Sequence, residues 1–440
     1  MRTVIVGAGP TGLFTAIALA RRGRAVVVVD RDSGPPAHGM WQRKGVMQFH
    51  HAHTFRGPVV EALQAEMPDV LDDLTAAGAG LPVAPDGRPT ALLCRRMTFD
   101  RVLRDGAKVE PRITLVAGHV DHLLQAGGRA TGVRVHGRTL AADLVIDASG
   151  RASRFTSTVR AHAAGGDCGA TYVTRQYRLH ETATAPPVNS PIGLGLSLPG
   201  YWALAYLHDD RTVSITFTHD GTDKRLRRLR YDGVFESAVR AIPQLSEWID
   251  PARSQPITPV LPGGRMYNSY RGQLDGSGKP VLPGLISVGD AVCTTTPLAG
   301  RGVTLALMQA RELIRRLGEN PHDIDTATMQ FDDWCSDNIR PWFDDHRYTD
   351  ADRVRRWSGE DVDLGRRLPS DLIVAAAEAD PQLREVVDPY ARMDAPPASL
   401  APAEPRAREI FAAGWRPPVP AGPTRAELGE LCSDFAYGAA

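Results

Sequence analysis

Gly7, Gly9 and Gly12, with Pro10 and Thr11 between them and an acid at Asp30, are the first residues whose types and spacing could do chemistry. Glycines let a backbone approach a pyrophosphate with no side chain in the way. An acid about twenty residues further on can accept hydrogen bonds from a ribose. The flanking sequence supplies the elements that would hold such a site. Val4, Ile5 and Val6 read as a strand buried on both faces, and Leu13, Ala16, Ile17 and Ala20 recur on one helix face. Gly23 ends that helix, and Val26–Val29 form a second apolar strand that stops at Asp30. The helix N-terminus adds free N–H groups and a positive dipole end, which favour an anion. A plain tight turn is the alternative; the full strand–turn–helix–strand–acid context points to a dinucleotide site without choosing between NAD and FAD.

A second group lies at Gly289-Asp290 and at Pro297, Gly300, Arg301 and Gly302. Leu285–Val288 read as a buried strand, and Arg301–Leu317, rich in Ala and Leu without Pro or interior Gly, read as a helix. The chain thus offers a second helix N-terminus near a strand end, and an adenine dinucleotide is long enough to use both. An ordinary strand–loop–helix with a capping Asp is the alternative. His50, His51 and His53 cluster in "HHAH". Zinc sites usually gather four ligands, and no partner segment is visible, so no metal is expected. A histidine here could orient a substrate hydroxyl or take its proton, because its free pKa is near neutral, and His51 and His53 are the catalytic candidates. Histidines without chemistry are the other reading.

Composition narrows the class. The 440 residues carry 51 Lys+Arg and 51 Asp+Glu, a formal net charge of zero, which argues against a nucleic-acid binder. No apolar run reaches spanning length and the N-terminus enters a strand at once, so a cytoplasmic protein is expected. Cys94, Cys168, Cys293, Cys335 and Cys432 form no C-x-x-C pair, which argues against a disulfide frame or structural zinc.

The glycine fingerprint, the Gly289-Asp290 pair followed by Pro297–Gly302, and "LVIDASGRASR" at Leu144–Arg154 together resemble the flavoprotein monooxygenase and oxidoreductase superfamily with the para-hydroxybenzoate-hydroxylase fold. The likeness covers roughly residues 1–340. It implies FAD as cofactor. Gly7, Gly9, Pro10, Thr11 and Gly12 would line the pyrophosphate turn, Asp30 would hold the adenosine ribose, and Arg31 and Val120 would join that end. Gly289 and Asp290 would approach the ribityl chain or pyrophosphate. Pro297, Gly300, Arg301 and Gly302 would present N–H groups to the flavin pyrimidine edge, which becomes anionic on reduction. "WQRKGVMQFHHAH" is similar to the segment that crosses the isoalloxazine, with Arg43 as its cofactor contact and Gln48 behind it; "RRMTFDRVLR" is similar to an R-x-x-L helix whose cofactor-facing residue would be Arg96. A solvated surface charge is the bland reading of each arginine.

Two departures bear on activity. Where aromatic hydroxylases of this family carry Asp-Gly, this chain reads Ser149-Gly150-Arg151, which resembles the branch with geranylgeranyl reductases, halogenases and some epoxidases. There is no second glycine fingerprint, so the electron source is NAD(P)H bound transiently or a partner flavin reductase. The W-x-W-x-I-P segment of flavin halogenases is absent, and Lys44 is the only lysine before residue 100.

The expected fold is α/β: a Rossmann-like FAD-binding domain built from discontinuous segments, an inserted antiparallel-sheet substrate domain, and a short helical C-terminal tail. The expected division is 1–168 for the first FAD-binding segments, 169–282 for the substrate domain, 283–345 for the last FAD-binding segment and 346–440 for the tail. "TYVTRQYRLH" and the two strands within "YWALAYLHDDRTVSITFTH" suit the inserted sheet, with Trp202, Tyr206 and Phe217 as pocket walls and plain core as their alternative. "PVLPGGRMYNSYRG" returns toward the cofactor strand. In the tail, Ser370 is expected to cap a helix over Leu372–Ala379, Pro396–Pro405 to be a linker or wrapping loop, and Thr424 with Glu427 to form a capping box. The expected activity is an FAD-dependent monooxygenase that oxygenates a small or mid-sized organic substrate with O2, by hydroxylation, epoxidation or oxygen insertion through a flavin C4a-(hydro)peroxide, in specialised metabolism. The alternatives are an FAD-dependent reductase or dehydrogenase, and behind it a flavin halogenase or a non-catalytic flavin-binding protein. Oligomeric state is not legible.

Overall fold

The computed structural model describes residues 1–434 apart from Lys44, Ala152 and Arg265. The three apolar runs of the sequence join two further strands, Leu144–Asp147 and Ile113–Ala117, in one parallel sheet. Its strand order is Leu285–Ser287, Leu144–Asp147, Arg2–Val6, Ala25–Asp30 and Ile113–Ala117, all neighbours parallel. The runs are apolar at nearly every position because both faces are covered. Ile5, Val26, Val28 and Ile146 pack under the helices Pro10–Arg21, Arg96–Val109 and Gly302–Glu319. Val4, Val6, Val29 and Val145 pack on a three-stranded antiparallel layer, Val120–Ala126, Arg129–Val135 and Arg138–Ala141.

The middle of the chain forms a second sheet, ordered Gly193–Leu198, Tyr201–Leu207, Thr212–Asp220, Ala170–Leu179 and Ser254–Pro256, with Leu261–Pro262 also paired to Ala170–Leu179. All its pairings are antiparallel. One face buries Val173, Tyr177, Ala203, Ile215 and Phe217 against Phe235 and Val239 of the helix Asp232–Arg240. The other face looks toward the parallel sheet. A small antiparallel sheet of Ala164–Asp167, Tyr267–Tyr270 and Cys293–Thr294 ties the two halves together.

The tail is more structured than its proline content suggests. Arg340–Trp357 is one helix that runs across the expected boundary at 345/346. The stretch Pro396–Pro405 is not a linker: Pro397–Leu400 is a 3-10 turn and Glu404–Ala412 a helix. Proline is tolerated in the first turn of a helix, so Pro397 and Pro405 start elements rather than break them. Ser370 does not cap a helix but is the first residue of the helix Ser370–Ala375, and its hydroxyl bonds Asp345 instead. The Thr424–Glu427 capping box is present: Thr424 N–H donates to Glu427 Oε2 at 2.8 Å and Glu427 N–H to Thr424 Oγ1 at 3.3 Å. The five cysteines are buried and free. No helix among the described residues is long and apolar enough to cross a membrane.

Candidate active site

A cavity of about 740 Å³ begins at the glycine turn and ends at the inner face of the antiparallel sheet. At its first end Gly7 has φ +111°, and a Cβ there would stand 2.3 Å from Ala148 O. A Cβ on Gly12 would stand 1.9 Å from Gly7 O, so Gly12 lets the helix close on the strand rather than touching a ligand. Gly9, Pro10 and Thr11 line the cavity, and the helix they open has no side-chain cap on its first N–H groups. Those donors are left for an anion.

Asp30 stands at the strand end and lines the cavity. Its Oδ2 accepts from Ala8 N–H at 2.6 Å and from Arg43 Nη2 at 2.8 Å, and its Oδ1 from Asp32 N–H at 2.8 Å. Arg43 also reaches the wall, but its guanidinium lies between Asp30 and the fully buried Asp100, 2.7 Å away. Burial opposes its charge, and Asp100 and Asp30 more than restore it. Asp100 also holds Arg96, whose Nε is 2.5 Å away. Arg96 lines the cavity facing Gly9, with Nη2 3.7 Å from where a Gly9 Cβ would be. A cation thus faces the glycine turn, as a pyrophosphate requires. Arg31 and Val120 line this end too, joined by Gly118, His119 and Asp121, which nothing in their sequence singles out.

The second expected helix terminus converges on the same space. Asp290, Pro297, Gly300 and Gly302 line it, and the helix from Gly302 has no side-chain cap. Burial raises the pKa of Asp290, against the pull of Arg96 and Arg151. Gly289 is not in the wall: with φ +71°, it packs against Thr11 and donates its N–H to Gln309 Oε1 at 2.9 Å. Arg301 also points away, which corrects its expected place at a cofactor edge. Its guanidinium stacks 4.6 Å from the Trp342 ring and 4.5 Å from Tyr390, with Asp345 at 3.5 Å. Only its backbone belongs to the turn.

Of the two histidine candidates, the structure brings one to the cavity. His53 lines it, with Nδ1 3.1 Å from His51 O and Nε2 3.5 Å from Arg96 Nη1. Burial and the Arg96 charge push its pKa down to about 3, so it is a neutral imidazole at neutral pH. His51 is behind the wall, edge-on to Tyr172 at 4.6 Å, and burial lowers its pKa to about 3 as well. Gln48, Tyr172, Met266 and Tyr267 are in the wall. Ser149, Gly150 and Arg151 lie beside them, with Arg151 over the Tyr267 ring at 5.4 Å. Among the described residues no group of three or more His, Cys, Asp or Glu could hold a metal.

The far wall is the antiparallel sheet. Tyr206 lines it as expected; Trp202 and Phe217 do not. Side chains alternate across a strand, and Thr216 and Thr218 face the cavity, so Phe217 between them must face away. It is fully buried, edge-on to Phe235 at 5.4 Å. Trp202 shares its parity with Leu204 and Tyr206 but lies beyond the cavity, where Trp357 meets it at 5.8 Å and Arg353 covers it at 4.4 Å. The residues missed are small and hydroxylated: Thr174, Thr216 and Thr218. Their signal was the strand period, which a search for aromatic walls overlooks. Thr218 Oγ1 and Thr295 Oγ1 are buried in this wall without a protein partner.

These features fit FAD: two uncapped helix termini, a glycine cradle that a Cβ would fill, and an arginine over it. Comparison with known proteins agrees. A model of the FAD-dependent oxidoreductases matches residues 3–220. Protein Rv3254 of Mycobacterium tuberculosis is 25% identical across 87% of each chain. The structure of the flavin-dependent brominase Bmp2 superposes with a TM-score of 0.67 at 14% identity, covering 94% of this chain and 100% of that one. The p-nitrophenol 4-monooxygenase PnpA of Pseudomonas putida superposes with a TM-score of 0.62 at 17% identity, covering 89% and 97%. Nearly half of the chain, residues 3–220, thus matches the FAD-dependent oxidoreductases, and the chain shares its fold with these flavin-dependent enzymes.

Proposed function

We propose that the protein is an FAD-dependent monooxygenase that adds oxygen from O2 to a small or mid-sized organic substrate. One observation carries this reading: the space beside the glycine cradle is continuous with space under the hydroxyl-bearing face of the antiparallel sheet. A substrate bound there meets the cofactor directly, away from bulk water. Bound FAD would supply the redox chemistry and the reaction with oxygen. The chain's own residues do the rest. Arg96 and the two helix termini hold the dinucleotide, Asp30 takes the ribose, and His53, a neutral imidazole whose Nδ1–H is held by His51 O, presents Nε2 as an acceptor for a substrate hydroxyl. The division into FAD-binding segments 1–168 and 283–345, a substrate domain 169–282 and a tail from 346 belongs to the same reading.

A second reading, an FAD-dependent reductase or dehydrogenase, is favoured by Ser149-Gly150-Arg151 in place of Asp-Gly. Halogenation has less support: no described lining residue is a lysine, and Lys44 lies outside the described residues. The electron source is NAD(P)H or a partner flavin reductase, and specialised metabolism is the proposed setting. The deciding experiment reduces the FAD-loaded protein anaerobically, admits oxygen, and follows flavin absorbance and product. A transient oxygenated-flavin band with an oxygenated product supports the monooxygenase. Reoxidation that yields only peroxide, together with hydride transfer to an organic acceptor, supports the reductase.

A further inference from the structure

The turn from Thr296 to Arg301 is pinned at both ends by one helix of the tail. Thr295 and Pro297, on either side of Thr296, line the cavity, as do Leu298, Gly300 and Gly302. At the near end the buried Thr296 N–H donates to Asn268 Oδ1 at 2.6 Å, and Asn268 Nδ2 donates to Asp350 Oδ2 at 2.8 Å. Arg353 Nη1 donates to the other carboxylate oxygen, Asp350 Oδ1, at 2.6 Å. At the far end Arg301 stands 3.5 Å from Asp345 and 4.6 Å from the Trp342 ring. Trp342, Asp345, Asp350 and Arg353 all belong to the helix Arg340–Trp357.

The near end is a relay with one allowed sense. Thr296, Asn268, Asp350 and Arg353 are all buried. A backbone N–H can only donate and a carboxylate can only accept. The Asn268 amide must therefore turn its oxygen to Thr296 and its NH2 to Asp350; reversed, donor faces donor and acceptor faces acceptor. Burial raises the Asp350 pKa, and Arg353 and the Asn268 amide pull it back toward the ionised form that this sense requires. Strand alternation explains why Asn268 looks to the tail: Tyr267, the residue before it in the strand Tyr267–Tyr270, lines the cavity.

We propose that Asn268 is a positioning residue for the cofactor: aimed by Asp350, it holds the Thr296 N–H and so sets the turn Pro297–Gly302 where FAD would meet it. Asn268 and Asp350 do not line the cavity and act only through this turn. A buried N–H left without an acceptor is costly, so a broken relay displaces the turn rather than leaving it in place. The tail helix is thereby part of the cofactor site. The assignment rests on the reading of this cavity as the FAD site.

The test is fluorescence titration of the flavin-free protein with FAD, with the visible absorbance of the bound flavin recorded for each variant. Asn268→Leu removes the acceptor. Asp350→Asn acts at one remove: Arg353 keeps the new amide oxygen, the new NH2 faces Asn268, and the Asn268 amide flips its own NH2 onto the Thr296 N–H. Each single variant should weaken FAD about tenfold, the size of one lost hydrogen bond, and shift the flavin absorbance. Asn268→Asp combined with Asp350→Asn restores donor to acceptor at both contacts, and should bring affinity and spectrum back to the wild-type values. Folded single variants with wild-type affinity and spectrum, a lowered melting temperature alone, or a double variant no better than the singles would overturn the proposal. If Asn268→Leu does not fold, Asp350→Asn and the double variant decide. A wild-type protein that takes up no FAD would overturn the cofactor reading itself, and the proposal with it.

Discussion

Gly7 and Gly9 make different demands on one turn, and the difference can be measured. Gly7 is held at φ +111° with a carbonyl where its Cβ would be, so Gly7→Ala strains the sheet itself. Such a position costs about 1–3 kcal/mol before the clash is counted. Gly9 sits at φ −83° and ψ −178°, and its Cβ would meet only Arg96 at 3.7 Å. Gly9→Ala should leave the melting temperature nearly unchanged and weaken FAD about tenfold or more, whereas Gly7→Ala should lose both. Fluorescence titration with FAD and thermal unfolding tell the two apart. The histidines give a pH prediction at the same scale. Burial holds the folded pKa of His51 and His53 at about 3 and of His208 at about 4, well below the free value. Below about pH 6.5 the unfolded chain takes up protons that the folded one refuses, so stability falls as pH drops toward 4, by up to about 1.4 kcal/mol per unit for each histidine. Above pH 7 these groups have no effect. His51→Phe replaces an imidazole with an unpartnered Nδ1 by a ring of similar shape, and should flatten the slope of melting temperature between pH 6.5 and 4.5.

Between elements, the buried chain Asp30–Arg43–Asp100–Arg96 binds the end of the second strand to the helix Arg96–Val109. Asp100→Asn leaves Arg43 and Arg96 short of a counter-charge and should destabilise the protein by about 3–5 kcal/mol, as loss of one partner in a buried pair does. Denaturant unfolding gives the size, and flavin retention should fall with it because Arg96 loses its anchor. Phe217 tests the two faces of the inserted sheet. Phe217→Ala should cost about 3–5 kcal/mol of stability yet leave FAD content per folded molecule unchanged, since the ring faces Phe235 and not the cavity. A flavin loss larger than the unfolded fraction would contradict that placement.

Across the whole molecule the tail acts as a strap. Leu372, Ile373, Tyr390 and Phe411 join the core under the parallel sheet, while Leu428 and Cys432 of the final helix, Arg425–Asp434, join the core of the antiparallel sheet. Tyr201 OH donates to Pro423 O at 2.7 Å, and Arg425 Nε to Asp223 at 2.7 Å. Ending the chain after Pro418 removes only the second attachment. It should lower the melting temperature and make residues of the antiparallel sheet the first sites of limited proteolysis, with the parallel-sheet half resisting longer.

The sequence by itself determined the parts whose cause is local. Glycine spacing, apolar runs and helix faces fixed three of the five parallel strands, the fingerprint helix, the second helix terminus and the capping box, because each depends on a few adjacent residues. Asp30, Arg96, Asp290 and Tyr206 were legible for the same reason and do line the cavity. What only the tertiary structure decided was direction and partnership. Arg301 lies in the right turn but points at Trp342 and Tyr390, which the tail supplies from far along the chain. Trp202 has the right parity but falls under Trp357, and Phe217 belongs to the opposite face. Side-chain direction and long-range partnership are properties of the packed neighbourhood and not of any stretch of sequence.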